Sequence, residues 1–514
     1  MAIGLFGAIA IFAGYFQMAK TMPINADGAS NALQAWEMSH GNPLLRGWTV
    51  TDVSFYSTEL MQYALIELVY GLHENVFRIA AAMTYALLVV LAAMLAKGNA
   101  TGLAAWTRMG VAVAIMLLPM PGNGYLVAFG GPNHVGTGVP LLLTWLVLDR
   151  ASGHRKWLPA ALTALLAWGQ IGDPLVLFIG VFPLAAVSAY RVLRSRDWRG
   201  LDGQLVIAAA ASVVIGQGFL KLVAAAGGFV AHSPPTEFSS ISKWGSHLRL
   251  LAEVTAVNYG GYLPDMDGPV EITVGLIRLV GLALACAALV YAVVQIFRSP
   301  DGDRVNQILA VAILVNLAAF IASTLPTDLM SARQVSVVLP MGAALAGRVC
   351  TTWLAPRRLA IPLAAVLVFF SAVFVAHALV DPRPEPKREI TAWLDSKNLR
   401  HGLGGYWNSN DLSLISGGRV MVIPVIDRDE IKGYRWESRA QWYDPSRYDA
   451  RFVIIDVDRP GYGTVATALK QFGRPVERRD FGQFAVLVYD HNLLVGLKAA
   501  CGGKVASSMA ECAA

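Results

Sequence analysis

Eleven apolar runs, near residues 3–22, 77–96, 103–120, 134–149, 157–171, 174–190, 203–225, 271–297, 305–324, 334–349 and 359–379, dominate the first 380 positions of this 514-residue chain. A helix of about 20 apolar residues crosses the hydrocarbon core of a bilayer, and the shorter runs suit helices packed inside a bundle. Lipid offers backbone groups no hydrogen-bond partners, so such runs must close their bonds internally as helices; strands of a membrane barrel would alternate apolar and polar residues instead. Composition agrees, with 55% of residues hydrophobic and 15% charged, where a soluble domain carries about 25% charge. A soluble enzyme is excluded, and an α-helical polytopic membrane protein with about 11 transmembrane helices is expected. The first run has no basic n-region and no small-residue cleavage site, and reads as an uncleaved helix.

Of the 41 basic and 35 acidic residues, 33 lie between Asp381 and Asp490. That skew divides the chain into a membrane body, 1–380, a soluble domain, 381–500, and a polar tail, 501–514. One set of short loops carries Lys97; Arg150, Arg155 and Lys156; Arg191, Arg194, Arg196 and Arg199; Arg298 and Arg304; Arg348, Arg357 and Arg358. The opposite short loops, near 121–133, 171–174 and 325–333, hold only Arg333. Cytoplasmic loops collect Lys and Arg, so the pattern predicts a cytoplasmic N-terminus and, with an odd number of spans, an extracytoplasmic C-terminal domain on a bacterial inner membrane. The net charge of +6 is then a topology signal and not a nucleic-acid surface.

Segments 23–76, 226–270 and 381–514 are too long for plain connectors on the outer side. In the first, Asp27 is placed to N-cap a short helix carrying Leu33 and Trp36 on one face. From Tyr56 to Leu72, apolar residues at helical spacing face Glu59, Gln62 and Glu67, as in a helix lying on the membrane surface. Beyond the Pro-rich hinge at 381–386, helices near 388–398 and 463–472 and strands near 419–424, 451–456 and 484–489 predict an α/β domain. No Gly-rich phosphate fingerprint follows these strands, so a nucleotide site is not expected.

Walker A, His-Glu-x-x-His and Gly-x-Ser-x-Gly motifs are all absent, and no charges stand mid-span as ion-coupled transporters require. Chemistry at the outer surface remains. Asp27 and Asp173 are the candidate catalytic acids, because a carboxylate can remove the proton of a sugar hydroxyl as that hydroxyl attacks an anomeric carbon. Asp27 reads equally as a plain cap. Asp173, followed by Pro174, reads equally as a turn residue capping the next span. An anionic substrate group needs cations on the same face, and Arg333, Lys243, His247, Arg249 and His134 are the candidates. Arg333 defies the charge rule, or simply snorkels to the interface. The stretch from His232-Ser-Pro-Pro to Lys243-Trp-Gly-Ser-His247 reads as a lid over an anionic head group or as a solvated loop, and His134 as a ligand or a helix-end histidine. Cys286 and Cys350 fall in spans as small apolar residues; Cys501 and Cys512 can pair in an oxidising exterior. No metal-ligand spacing is present, which leaves any divalent metal requirement open.

The layout of a first helix followed at once by Asn25-Ala-Asp27-Gly-Ala-Ser-Asn-Ala and a helix ending Glu37-Met-Ser-His-Gly-Asn-Pro, with eleven spans and an outer C-terminal domain, resembles the GT-C superfamily of membrane glycosyltransferases. Protein O-mannosyltransferases and bacterial aminoarabinose transferases are of this kind. The resemblance implies a polyprenyl-phosphate-linked sugar as donor substrate, names no certain cofactor, and implies a glycan, lipid or protein acceptor in contact with membrane lipid. It makes Asp27 the base of an inverting transfer, Arg333 a contact to the donor phosphate and Asp173 a secondary acid. Many members pair two acids in the first outer loop; here Gly28 follows Asp27, so a second carboxylate would be Glu37 or Asp52, or be absent. A transporter or flippase of lipid-linked sugars, and a non-catalytic envelope-assembly protein stacking sugars on Tyr406, Trp407, Tyr434, Trp436, Trp442 and Tyr443, are the competing readings. Core packing is the bland account of those rings.

Overall fold

The structure, a computed structural model, describes residues 2–151, 156–231, 237–299, 301–501 and 504–506. His232–Pro235, Arg155 and Cys512 lie outside the described residues, as does the side chain of Cys501. The chain divides into two compact units, the first formed by Met1–Met22, Ala81–Leu220 and Pro235–Pro382, the second by Pro23–Ala80, Lys221–Pro234 and Arg383–Ala514.

Helices occupy every apolar run read from the sequence. Among the described residues six are long and apolar enough to cross a membrane, Asn75–Lys97, Leu177–Ser195, Leu201–Ala225, Gly268–Arg298, Arg304–Ala322 and Pro356–Ala378, and a seventh arises if the bent pair Leu329–Val335 and Val338–Trp353 is one span. Phe6–Ala19, Gly102–Met116 and Leu158–Gly172 are apolar but shorter, and Gly138–Arg150 has 13 residues; the expected total of eleven spans is not established. The protein is a multi-pass membrane protein whose first unit is packed around Tyr15, Trp145, Phe129 and Phe370. Exposed Val214, Val290, Ile361 and Val368 leave apolar surface for lipid on three of these helices.

Several of the arginines read as loop residues lie on helices and tie this unit together. Arg348, buried in the helix Val338–Trp353, reaches Asp149 at 2.8 Å and Asp303 at 2.6 Å, and Asp202 receives both Arg191 and Arg304.

In the second unit an eight-stranded sheet runs in the order Lys504–Ala506, Ala499–Cys501, Lys432–Tyr434, Met421–Ile426, His401–Gly405, Phe452–Asp456, Phe484–Val488, Glu477–Phe481. Its three central strands are parallel, with Leu403 opposite both Ile423 and Val453. The strand His401–Gly405 was not expected, because glycine is disfavoured in strands. Here the absent side chains make room: a Cβ on Gly402 would stand 2.3 Å from the Phe452 ring, and one on Gly405 2.6 Å from Tyr462 Cβ. A second, three-stranded sheet has Trp48–Val50 in the middle, parallel to Val230–Ala231 and antiparallel to Ser438–Arg439.

The helix Glu59–Tyr70 lies as the amphipathic pattern predicts, but with its acids turned inward: Glu59 and Glu67 are buried while Leu65, Leu68, Val69 and Tyr70 are exposed. An apolar face exposed beside buried acids suits a helix lying in a membrane interface.

Candidate active-site carboxylates

The helix Ala26–Ser39 starts one turn earlier in chemistry than the sequence suggests. Asn25, not Asp27, is its N-cap, accepting the Gly28 N–H at 2.7 Å. Asp27 sits in the first turn, where the helix dipole favours a negative charge, and its side chain is released from capping. Its Oδ1 accepts the hydroxyl of Tyr406, and the same hydroxyl lies in hydrogen-bond contact with Oε2 of Glu437. The two residues come from distant sequence. Tyr406 follows the Gly-rich strand, and Glu437 links Lys432–Tyr434 to Ser438–Arg439 with a left-handed φ of 44°. That conformation costs about 1 kcal/mol in a non-glycine residue. It is held by the Glu437 carbonyl, which accepts Asn410 Nδ2 at 3.1 Å and Ser30 Oγ at 3.4 Å.

Burial, then the charge of Asp27, push the Glu437 carboxyl well above the usual carboxylate range, and Asp52 adds to this while the Tyr406 bond opposes it. Burial and then the two carboxylates likewise push the Tyr406 phenol up. The carboxyl that shares the Tyr406 hydroxyl with Asp27 is therefore Glu437, which sequence spacing could not find. Glu37 is engaged elsewhere, with Arg439 at 2.7 Å and Asn42 at 3.2 Å. Asp52 is exposed. Of the aromatic residues named above, Tyr406, Trp442 and Tyr443 are buried in the core, while Trp407, Tyr434 and Trp436 are half-buried.

In the first unit, Asp173 and His134 do meet, with Nδ1 of His134 at 2.7 Å from Oδ2. Thr137 donates to the same oxygen, and Oδ1 accepts the Leu175 N–H at 2.8 Å. Burial works to raise the Asp173 pKa, but His134 and the two other donors outweigh it and hold the carboxyl below its ordinary range. Both oxygens are committed and the residue is 1% exposed, so the arrangement orients His134, itself at a left-handed φ of 58°. The capping role is thus combined with a side-chain pair.

The cations do not converge. Arg333 is exposed on the 3₁₀ helix Leu329–Val335, which a capping box at Asp328 and a bond from Asn258 to the Ala332 carbonyl hold in place. Lys243 and His247 lie not on a loop but on the helix Ile241–Asn258; Lys243 is exposed, whereas His247 is buried against the Ile321 carbonyl at 2.9 Å. Arg249 is exposed and pairs with Glu253.

A cation the sequence reading passed over is buried in the helix Gly268–Arg298. Arg278, 4% exposed, gives Nη1 to the Gly260 carbonyl at 3.0 Å and Nη2 to that of Pro119 at 3.4 Å, and its Nε has no partner among the described residues. It lines a small cleft with Glu271, Asp265, His377, Met120 and Val373. The cleft thus brings a buried guanidinium together with two carboxylates, Asp265 and Glu271. Among the described residues no cluster of three His, Cys, Asp or Glu could hold a metal ion.

Solved structures share the fold of this chain. ArnT from Cupriavidus metallidurans superposes with a TM-score of 0.57 in its apo state at 13% identity, the match covering 94% of this chain and 97% of that one. The same enzyme bound to undecaprenyl phosphate matches with equal score and coverage at 14% identity. The apo oligosaccharyltransferase of Archaeoglobus fulgidus matches at TM-score 0.51 and 10% identity, over 88% of this chain and 70% of that one. No family model matches the chain, and no curated protein does.

Proposed function

We propose that the protein is an inverting glycosyltransferase that moves a sugar from a polyprenyl-phosphate donor to a lipid, glycan or protein hydroxyl on the outer face of a bacterial inner membrane, with Asp27 as general base. The observation that carries this reading is the Asp27 carboxylate itself, freed from capping by Asn25 and held by Tyr406 in a chain with the GT-C fold. The ArnT structure bound to undecaprenyl phosphate supports a carrier-lipid donor.

In the proposed step Asp27 takes the acceptor hydroxyl proton, the oxygen bonds to the anomeric carbon, and the bond to phosphate breaks with its electron pair leaving on the polyprenyl phosphate. Burying the isoprenoid chain contributes about 0.8 kcal/mol per CH₂. Arg333 is the candidate phosphate contact, and His134, paired with Asp173, a candidate substrate contact. Lys243, Arg249 and Glu37 keep at most peripheral roles, since the first two are exposed and Glu37 is ion-paired. Replacing Asp27 by Asn keeps the shape and removes the base. Transfer from radiolabelled polyprenyl-phosphate sugars in proteoliposomes is expected to fall by about 10² to 10⁴-fold. Near-normal transfer by a correctly inserted Asp27→Asn protein would refute the mechanism.

A further inference from the structure

Two carboxylates converge on one phenol. A phenol hydroxyl carries a single proton and can donate to one of them only. The other contact therefore needs a proton from its carboxyl, or it is a repulsion between lone pairs. Glu437 is 2% exposed and Tyr406 3%, whereas Asp27 is only half-buried.

We propose that Glu437 is the protonated member of a Glu437–Tyr406–Asp27 chain, a positioning residue that donates through Tyr406 and leaves Asp27 as the single ionised carboxylate. The chain then holds two protons and one negative charge: Glu437 O–H donates to the Tyr406 oxygen, and Tyr406 O–H donates to Asp27. Burying both charges would cost several kcal/mol, and burying one neutral acid with a satisfied bond costs far less.

The groups facing Glu437 agree with that count. Asp27 from the helix Ala26–Ser39, Asp52 from the loop after Trp48–Val50, Tyr63 from the helix Glu59–Tyr70, and Tyr406 and Tyr434 from the C-terminal segment are acidic or phenolic. The flanking cations are turned away: Arg439 pairs with Glu37, and Arg435 bonds the Gly47 carbonyl and Thr49. Among the described residues no Lys or Arg forms an ion pair with Glu437.

The inference concerns the same carboxylate as the transferase reading but does not depend on catalysis, and it is tested without substrate. Infrared spectra of the purified full-length protein in detergent report protonated carboxyl groups directly. At pH 7, Glu437→Gln is expected to lack one carboxylic-acid band of the parent protein. In Asp27→Asn, with Glu437 intact, the pH midpoint of that band is expected to move down, because the charge facing Glu437 is gone. An unchanged set of bands in Glu437→Gln, or a midpoint indifferent to Asp27→Asn, would overturn the proposal. A transfer assay can fail independently of either result, which keeps the two readings separable.

Discussion

Glu67 offers the most direct test of how this chain handles buried acids. Both of its carboxylate oxygens are buried without a hydrogen-bond partner among the described residues, and burial pushes its pKa from 4.5 to about 9. A folded-state value above the unfolded one means that the folded protein binds the extra proton. The associated stability is therefore complete below about pH 4.5 and is lost progressively as pH rises toward 9. Each unit is worth about 1.4 kcal/mol. Relative to acid pH, the penalty is about 3 kcal/mol at pH 7 and about 6 kcal/mol once pH exceeds 9. Glutamine copies the neutral acid and takes up no proton, so Glu67→Gln removes the pH-dependent part whatever its own burial costs. Denaturant unfolding of both proteins in one detergent, from about pH 5 to pH 9, is expected to show the variant gaining on the parent by about 1.4 kcal/mol per unit. A gap that stays flat across this range would show that Glu67 is ionised or solvated, and would refute the inward orientation of the helix Glu59–Tyr70.

Other perturbations follow from the packing. Gly402→Ala places a methyl group inside contact distance of the Phe452 ring and is expected to destabilise the second unit by about 1–3 kcal/mol, read as a lower unfolding midpoint of the C-terminal sheet. Arg348→Ala leaves Asp149, 5% exposed, as an uncompensated buried charge and should cost about 3–5 kcal/mol, whereas Arg348→Ala combined with Asp149→Ala recovers part of the loss in a thermal scan. Asn25→Ala removes the cap of the helix that carries Asp27, with an expected cost of about 1 kcal/mol and a drop in transfer that Asn25→Ser restores.

What could be read in the sequence was what one local property decides. Long apolar runs become helices because lipid leaves the backbone no other partner, and each run near its expected position is helical. The strands Met421–Ile426, Phe452–Asp456 and Phe484–Val488 announce themselves by β-branched residues. The strand His401–Gly405 does not, since its glycines answer to a ring fifty positions away. Span count was less legible, because helices such as Gly138–Arg150 are apolar enough but short. The lid expected around Lys243 proved to be a helix, Ile241–Asn258, because nothing in Ser242-Lys-Trp-Gly-Ser-His247 prevents helical backbone once Ser240 precedes it in an extended conformation.

The two acids singled out by sequence looked alike, each beside a helix end, and the structure gives them different partners. Asp173 is saturated: three donors occupy its oxygens and its carboxyl is held below the usual range. Accepting a proton there means breaking a charge-assisted bond in a buried place, which opposes a role as base. Asp27 accepts the Tyr406 hydroxyl that Glu437 also contacts, and both residues join it from 379 and more positions later in the chain. A charge network of that kind has no local signature, since Arg435-Trp-Glu-Ser-Arg439 looks like an ordinary ion-paired loop until both arginines are seen to pair elsewhere. The saturation of Asp173, rather than its position in its loop, is the physical ground for proposing that it orients His134 and is not the base.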